Sequence, residues 1–234
     1  MLDVSDLEVS YGDYQVIWGV SLAVDTGEVV SLLGPNGSGK STIFNTISGL
    51  LQPKAGVIKF EGERIDRRPS HQIVRRGLSH VLERRRVFPY LSVHQNLWLG
   101  GYHAEARSQR QQTLQDVYQL FPRLRERESQ LAHSLSGGEQ QMLALGRGLM
   151  SRPRLLMVDE PFLGLSPAVV KEMMQVFRRI NEAGVSILFI EQNVQVALSM
   201  SNRGYILESG RLVLAGEAQD LLKSEEVKRV FLGG

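Results

Sequence analysis

The chain has 234 residues, 42% hydrophobic and 22% charged, the make-up of an ordinary globular protein. A formal charge of only +2 gives no case for a nucleic-acid binder, and no apolar run approaches the ~18 residues of a membrane span. Zero cysteines exclude disulfides and thiolate metal sites and fit a reducing compartment. The length suits one domain, or one domain carrying an inserted subdomain. The start, Met1-Leu2-Asp3-Val4-Ser5-Asp6, has acids and no basic stretch, so no signal peptide is expected.

The opening reads as β structure. Leu7-Glu8-Val9-Ser10 alternates, Tyr11-Gly12-Asp13 breaks, and Val20-Ser21-Leu22-Ala23-Val24 alternates again. Tyr11 is either a half-buried strand tyrosine or an aromatic that stacks on a purine ring. Next comes Glu28-Val29-Val30-Ser31-Leu32-Leu33, an apolar run of strand length. It leads into Gly34-Pro35-Asn36-Gly37-Ser38-Gly39-Lys40-Ser41-Thr42, which fits G-x-x-x-x-G-K-[ST] at every fixed position. Ile43, Ile47 and Leu50 then recur at helical spacing. Strand, glycine loop and helix are the setting this motif needs. Glycines let backbone N–H groups turn inward around a phosphate, and the helix N-terminus adds its positive end. Lys40 reaches the β- and γ-phosphates, and the Ser41 hydroxyl ligates Mg²⁺.

Pro53 to Gly56 is a turn, Val57 to Glu63 a strand and turn, Ser70 to Gly77 a short helix, and Leu78 to Leu82 a strand. Eight arginines fall between Arg64 and Arg86; the simplest reading is a solvated face, the sharper one that Arg84 to Arg86 meet acidic groups of a partner or nucleotide. From Val93 to about Met150 the pattern is helical, with one helix expected over Glu105 to Leu120, a break at Pro122, and another helix over Glu139 to Ser151. This block reads as a helical subdomain, approximately 90–150, inserted into a nucleotide-binding core.

Leu155 to Glu160 is an apolar strand ending in two acids, suited to a parallel strand buried on both faces. Ala168 to Ala183 is a helix, Val185 to Ile190 a strand, and Asn193 to Met200 a helix. Gly204 to Ala215 forms a hairpin turning at Ser209-Gly210, and two short helices follow near Glu217 to Leu222 and Glu225 to Phe231. Asp159 ends a buried strand, where parallel sheets place ligand sites, and completes the Mg²⁺ site begun by Ser41. Glu160 is placed to polarise an attacking water. Leu135-Ser136-Gly137-Gly138-Glu139-Gln140-Gln141 is either a second anion-binding helix start or a helix N-cap on Ser136.

Those seven residues, between a phosphate loop and an acid-terminated strand, resemble the signature of ATP-binding cassette (ABC) ATPases, over nearly the whole chain. The resemblance implies an α/β fold: a P-loop NTPase core with a parallel sheet, an antiparallel β region and the inserted helical subdomain. It implies ATP and Mg²⁺ as ligands and ATP hydrolysis as the activity. By it, Tyr11 stacks on adenine, and Gly34, Pro35, Asn36, Gly37, Ser38, Gly39, Lys40, Ser41 and Thr42 bind phosphate and metal. Ser136, Gly137, Gly138 and Glu139 touch nucleotide held by a second ATPase subunit in a head-to-tail sandwich. Glu83 and Asp159 join Ser41 at the metal, while Glu160, Lys40 and Gln192 are the catalytic set. The helical block meets transmembrane permease subunits at the cytoplasmic face of a membrane, with a solute-binding protein reached indirectly and no nucleic acid.

Val81 to Pro89, Leu91-Ser92-Val93, Asn96-Leu97, Glu160 to Pro167 and Ile190-Glu191-Gln192-Asn193 resemble the ATPases of branched-chain amino-acid importers. Urea-type importers look nearly the same, although Leu82 and Arg84 stand where a proline and a glycine are expected beside Glu83. Three residues depart from the wider pattern: Glu83 for the Q-loop glutamine, Ser166 for the D-loop aspartate, and Gln192 for the switch histidine. An amide donates to a γ-phosphate but cannot become a cation. His71, His80, His94, His103 and His133 lie elsewhere and read as ordinary surface or core residues. The rival readings are an ABC ATPase without a transporter and a regulatory nucleotide binder that does not hydrolyse.

Overall fold

A computed structural model describes residues 1–83 and 86–225, together with Val227 and Phe231. Arg84, Arg85 and most of the helix expected near Glu225 to Phe231 lie outside the described residues.

In chain order the elements are β1 (Leu2–Tyr11), β2 (Tyr14–Val24), β3 (Val29–Leu33), α1 (Lys40–Ile47), β4 (Ala55–Phe60), β5 (Glu63–Arg64), α2 (Ser70–Arg75), β6 (Leu78–Val81) and α3 (Val93–Gly100). Then come α4 (Ala104–Ser108), α5 (Arg110–Leu120), α6 (Pro122–Glu126), a 3₁₀ turn (Ala132–Ser134), α7 (Gly137–Leu149), β7 (Leu155–Asp159), α8 (Pro167–Glu182), β8 (Ser186–Glu191), α9 (Val194–Met200), β9 (Arg203–Glu208), β10 (Arg211–Glu217) and α10 (Ala218–Leu221).

The described chain forms two compact units, one of Met1–Ile73 with the chain from Ser186 onward, the other Val74–Val185. In the first, an antiparallel sheet has the order β2-β1-β4-β5. β1 starts at Leu2, five residues before the expected alternation. Asp6, at φ +50°, and a register shift between Val4 and Leu7 interrupt the period of two that would have shown it. The same unit carries β10-β9-β3-β8, in which β3 pairs in parallel with both β8 and β9, and β10 closes the β9 hairpin antiparallel. Every residue of β3 and β8 is buried, the continuous apolar pattern of strands covered on both faces.

The second unit holds the parallel pair β6–β7, in register at Val81 and Val158, with helices α3 to α8. α8 begins with Pro167 at its first position, where the missing N–H is harmless. It buries Met173, Val176, Phe177 and Ile180, a 3–4 spacing, each contributing about 1.5–3 kcal/mol of apolar burial. The single helix expected over Glu105 to Leu120 is two, because the chain breaks at Gln109. Pro122 does not merely end a helix but opens α6. α7 starts at Gly137, two residues before the expected Glu139, because Ser136 caps it.

Candidate functional site

In the first unit the phosphate-loop sequence sits where β3 ends, at the carboxyl edge of a parallel strand, and α1 begins at Lys40. Gly39 is the N-cap at φ +106° and offers no side-chain cap, so the first-turn N–H groups of α1 remain for another acceptor. Lys40 is buried and arches back over the loop, its Nζ donating to Gly34 O at 2.8 Å and Pro35 O at 3.0 Å. Ser38 Oγ is sealed from solvent and has no hydrogen-bond partner among the described residues. A Cβ at Gly34 would overlap the Leu207 carbonyl oxygen and lie 2.7 Å from Ser38 Oγ, so only glycine fits there. No loop residue is acidic. Helix-start N–H groups, an ammonium and a sealed hydroxyl form a donor set that fits a nucleotide phosphate.

Tyr11, at the end of β1, is 49% exposed, and its hydroxyl lies 3.4 Å from Thr42 Oγ1. It is a strand tyrosine tied to the first turn of α1, with part of its ring open. Ser41 is exposed, whereas Thr42 is buried. Leu33 and Glu191 are register partners, so Gln192 follows β8 level with the start of the loop. Gln192 N–H donates to Glu191 Oε2 at 3.2 Å, and Asn193 caps α9 by accepting from Val196 N–H at 3.1 Å.

In the second unit β7 ends at buried Asp159, whose Oδ1 is sealed from solvent. Glu160 turns out of the strand at φ +49°, an uncommon conformation for a non-glycine residue and one that accompanies functional turns. Glu83 leaves β6 two residues past Val81, so Glu83, Asp159 and Glu160 emerge at the same end of the β6–β7 pair. Among the described residues no three His, Asp or Glu side chains converge as a metal cluster. Carboxylate oxygens of this kind suit a hard divalent ion.

Ser136 and Glu139 close a capping box on α7: Ser136 Oγ accepts from Glu139 N–H at 3.4 Å, and Glu139 Oε2 accepts from Ser136 N–H at 2.8 Å. Arg127 Nε lies 2.8 Å from Glu139 Oε1. Burial pushes the Glu139 carboxyl up, but the Ser136 hydrogen bonds and then Arg127 and Arg123 outweigh it and hold it below the usual carboxylate range. Glu139 therefore fixes the start of α7 from within rather than offering its carboxylate outward. Of the two readings of Ser136, the helix cap is present in this geometry. Ser166, extended at φ −69°, starts α8 without capping it.

Of the arginine run, Arg64 forms a two-point contact with Asp66 at 3.1 and 3.0 Å, and Arg68 lies 3.9 Å from Glu63, so part of the run is locally paired. Arg86 gives its carbonyl to Arg147 at 2.5 Å. Sequence reasoning missed the contact of the β9–β10 hairpin with the phosphate loop through Leu207 and Gly210; the Ser209-Gly210 turn signal was its only trace.

Residues 17–163 match the ABC transporter family. The chain is 42% identical over 234 residues to the high-affinity branched-chain amino acid transport ATP-binding protein BraG of Pseudomonas aeruginosa, covering all of both chains. It is 34% identical to the lipopolysaccharide export system ATP-binding protein LptB of Escherichia coli K12, over 99% of this chain and 97% of that one. Its fold superposes on a nucleotide-free ATP-binding cassette from an ABC transporter with a TM-score of 0.89 at 23% identity, covering 100% of this chain and 99% of the other. The donor-lined loop, the acid-terminated strand and the capped signature helix thus have their place: the chain belongs to the ABC transporter family, as one of its ATPase subunits.

Proposed function

We propose that this ATPase drives an importer of branched-chain amino acids. The observation that carries the reading is the 42% identity to BraG over the full length of both chains. Gly34 to Thr42 hold the ATP phosphates, with Lys40 neutralising charge on the transferring group, and Tyr11 lies against the adenine. Glu160 accepts a proton from the water that attacks the γ-phosphorus, as the bond to the ADP oxygen breaks. Gln192 donates from its amide to the γ-phosphate. Ser41, Asp159 and Glu83 would hold Mg²⁺, which would supply positive charge to offset that of the phosphates. Ser136, Gly137 and Gly138 meet the ATP of a second ATPase subunit, with Glu139 fixing them in place.

The helical stretch of approximately 90–150 docks on permease subunits at the cytoplasmic face, with a solute-binding protein on the far side. Among the described residues no helix is long and apolar enough to cross a membrane, which supports a separate permease chain. Phe88, Tyr90, Leu99 and Tyr102 are exposed large side chains within or beside that stretch and support its role as the docking face.

The second reading, a lipopolysaccharide-type exporter, is favoured by the full-length match to LptB at 34% identity. Purification with the native permease and reconstitution into vesicles separates the two. ATP-dependent uptake of labelled leucine supports the importer; stimulation by lipopolysaccharide without leucine transport contradicts it.

A further inference from the structure

The β9–β10 hairpin belongs to no motif assigned above, yet its tip lies against the phosphate loop. Glu208 pairs with Arg211, leaving a two-residue turn with positive φ at both positions, Ser209 at +47° and Gly210 at +76°. This is the type I′ pattern of tight hairpins. Both backbone groups of Gly210 are engaged away from the hairpin. Its N–H donates to the Ser38 carbonyl at 2.9 Å, and its own carbonyl accepts from Trp18 N–H at 2.9 Å. Arg211 lies over the Trp18 ring at 5.2 Å, a second tie to β2. A Cβ on Gly210 would overlap the Val16 carbonyl oxygen and sit 3.0 Å from Trp18 Cδ1. One strand earlier, Leu207 presents its carbonyl to the position where a Cβ on Gly34 would fall. The hairpin therefore touches the loop at Gly34 and at Ser38.

The Ser38 contact fixes the direction of a phosphate donor. In a trans peptide the carbonyl and the following N–H point opposite ways. The Ser38 carbonyl and the Gly39 N–H share one peptide unit. Holding that carbonyl on Gly210 aims the Gly39 N–H away from Gly210. The Ser38 N–H is held as well, donating to Pro35 O at 3.2 Å. Gly39, at φ +106°, has the backbone freedom to let this peptide flip if the tie is lost.

We propose that Gly210 is a positioning residue for nucleotide binding, bracing the Ser38–Gly39 peptide so that its N–H points at the ATP phosphates. The proposal rests on the reading of Gly34 to Thr42 as the phosphate loop. It predicts that Gly210→Ala weakens ATP binding by about 10- to 100-fold, the worth of a hydrogen bond to a charged group.

The test is ATP affinity of the full chain, by calorimetry at fixed Mg²⁺, in the wild type and three variants. Gly210→Ala is expected to lose affinity. Ser209→Gly, which keeps the turn and its contacts, is expected to bind as the wild type does. Leu221→Ala, at a buried position of α10, lowers stability away from the loop and is expected to leave affinity unchanged. Gly210→Ala binding as tightly as wild type would overturn the proposal, and so would an equal loss in Leu221→Ala. A wild-type chain that binds no ATP would overturn the phosphate-loop reading and this proposal with it. Should Gly210→Ala fail to fold, hydrogen exchange on the wild type decides: ATP is expected to slow exchange at the Gly210 amide, and an unchanged rate refutes the brace.

Discussion

Acidification should weaken the strand pair that carries Asp159 and Glu160, through one histidine. His80 lies in β6 opposite Met157 of β7, and its Nε2 is sealed from solvent. Burial penalises the imidazolium and pulls its pKa from 6.5 down to about 4. In the unfolded chain the ring titrates at its ordinary value. Between these two pH values the unfolded chain binds a proton that the folded chain refuses. Stability is therefore full above the unfolded value and falls as pH drops towards the folded one. The slope is at most about 1.4 kcal/mol per pH unit. Part of the residue reaches solvent, so the expected loss between about pH 7 and about pH 5 is roughly 1–2 kcal/mol. The carboxyls of Glu28, Asp66 and Glu139 are all held below their ordinary values and make their losses at lower pH, outside this window. Urea unfolding of the wild type and of His80→Gln at both pH values is the assay. The wild-type loss should be absent or much reduced in the variant. Parallel curves for the two proteins would refute the reasoning.

Lys40→Ala should abolish ATP turnover by removing the cation fixed at the transferring phosphoryl group; wild-type-like steady-state phosphate release would contradict it. Arg203 contacts both carboxylate oxygens of Glu28 and the Ala23 carbonyl, so Arg203→Met should cost about 2–4 kcal/mol, read from the urea midpoint. A change below half a kcal/mol would show that the pair is idle. Glu83→Ala should raise the Mg²⁺ needed for half-maximal ATPase activity more than it changes ATP affinity, and an unshifted Mg²⁺ titration would remove Glu83 from the metal. Because Gln192 cannot become a cation, the chain should assemble with a different ATPase subunit that has histidine at that position. An intact transporter containing only this ATPase chain would dismiss the mixed assembly.

Much of the core was legible because burial on both faces leaves a plain mark. The runs Glu28 to Leu33, Leu155 to Glu160 and Val185 to Ile190 each fall on a fully buried strand, at Val29–Leu33, Leu155–Asp159 and Ser186–Glu191. The placing of Gly34 to Thr42 between β3 and α1, and of Asp159 at the end of β7, was legible because motifs of this kind need particular residue types at fixed spacing. The helix break at Gln109 was not, since no proline or glycine marks it. The true start of β1 was hidden by the irregularity around Asp6. The capping box was half legible: Ser136 was weighed as a cap, while the Glu139 carboxylate that closes the box was not. The hydrogen bond from Gly210 to Ser38 left no trace beyond the Ser209-Gly210 turn signal, because a backbone hydrogen bond between distant segments imposes only a glycine, which the hairpin alone already explains.

The most direct test of the account is ATP turnover by the assembled transporter with Glu160→Gln in this chain. The substitution removes the proposed proton acceptor, the residue that follows β7, and leaves the phosphate-loop sequence unchanged. ATP binding should persist while turnover at this chain's site falls by about 10²–10⁴-fold, the usual loss for a positioned general base. Unchanged hydrolysis at that site, with ATP still bound, would contradict the assignment of Glu160 as the catalytic carboxylate of this subunit.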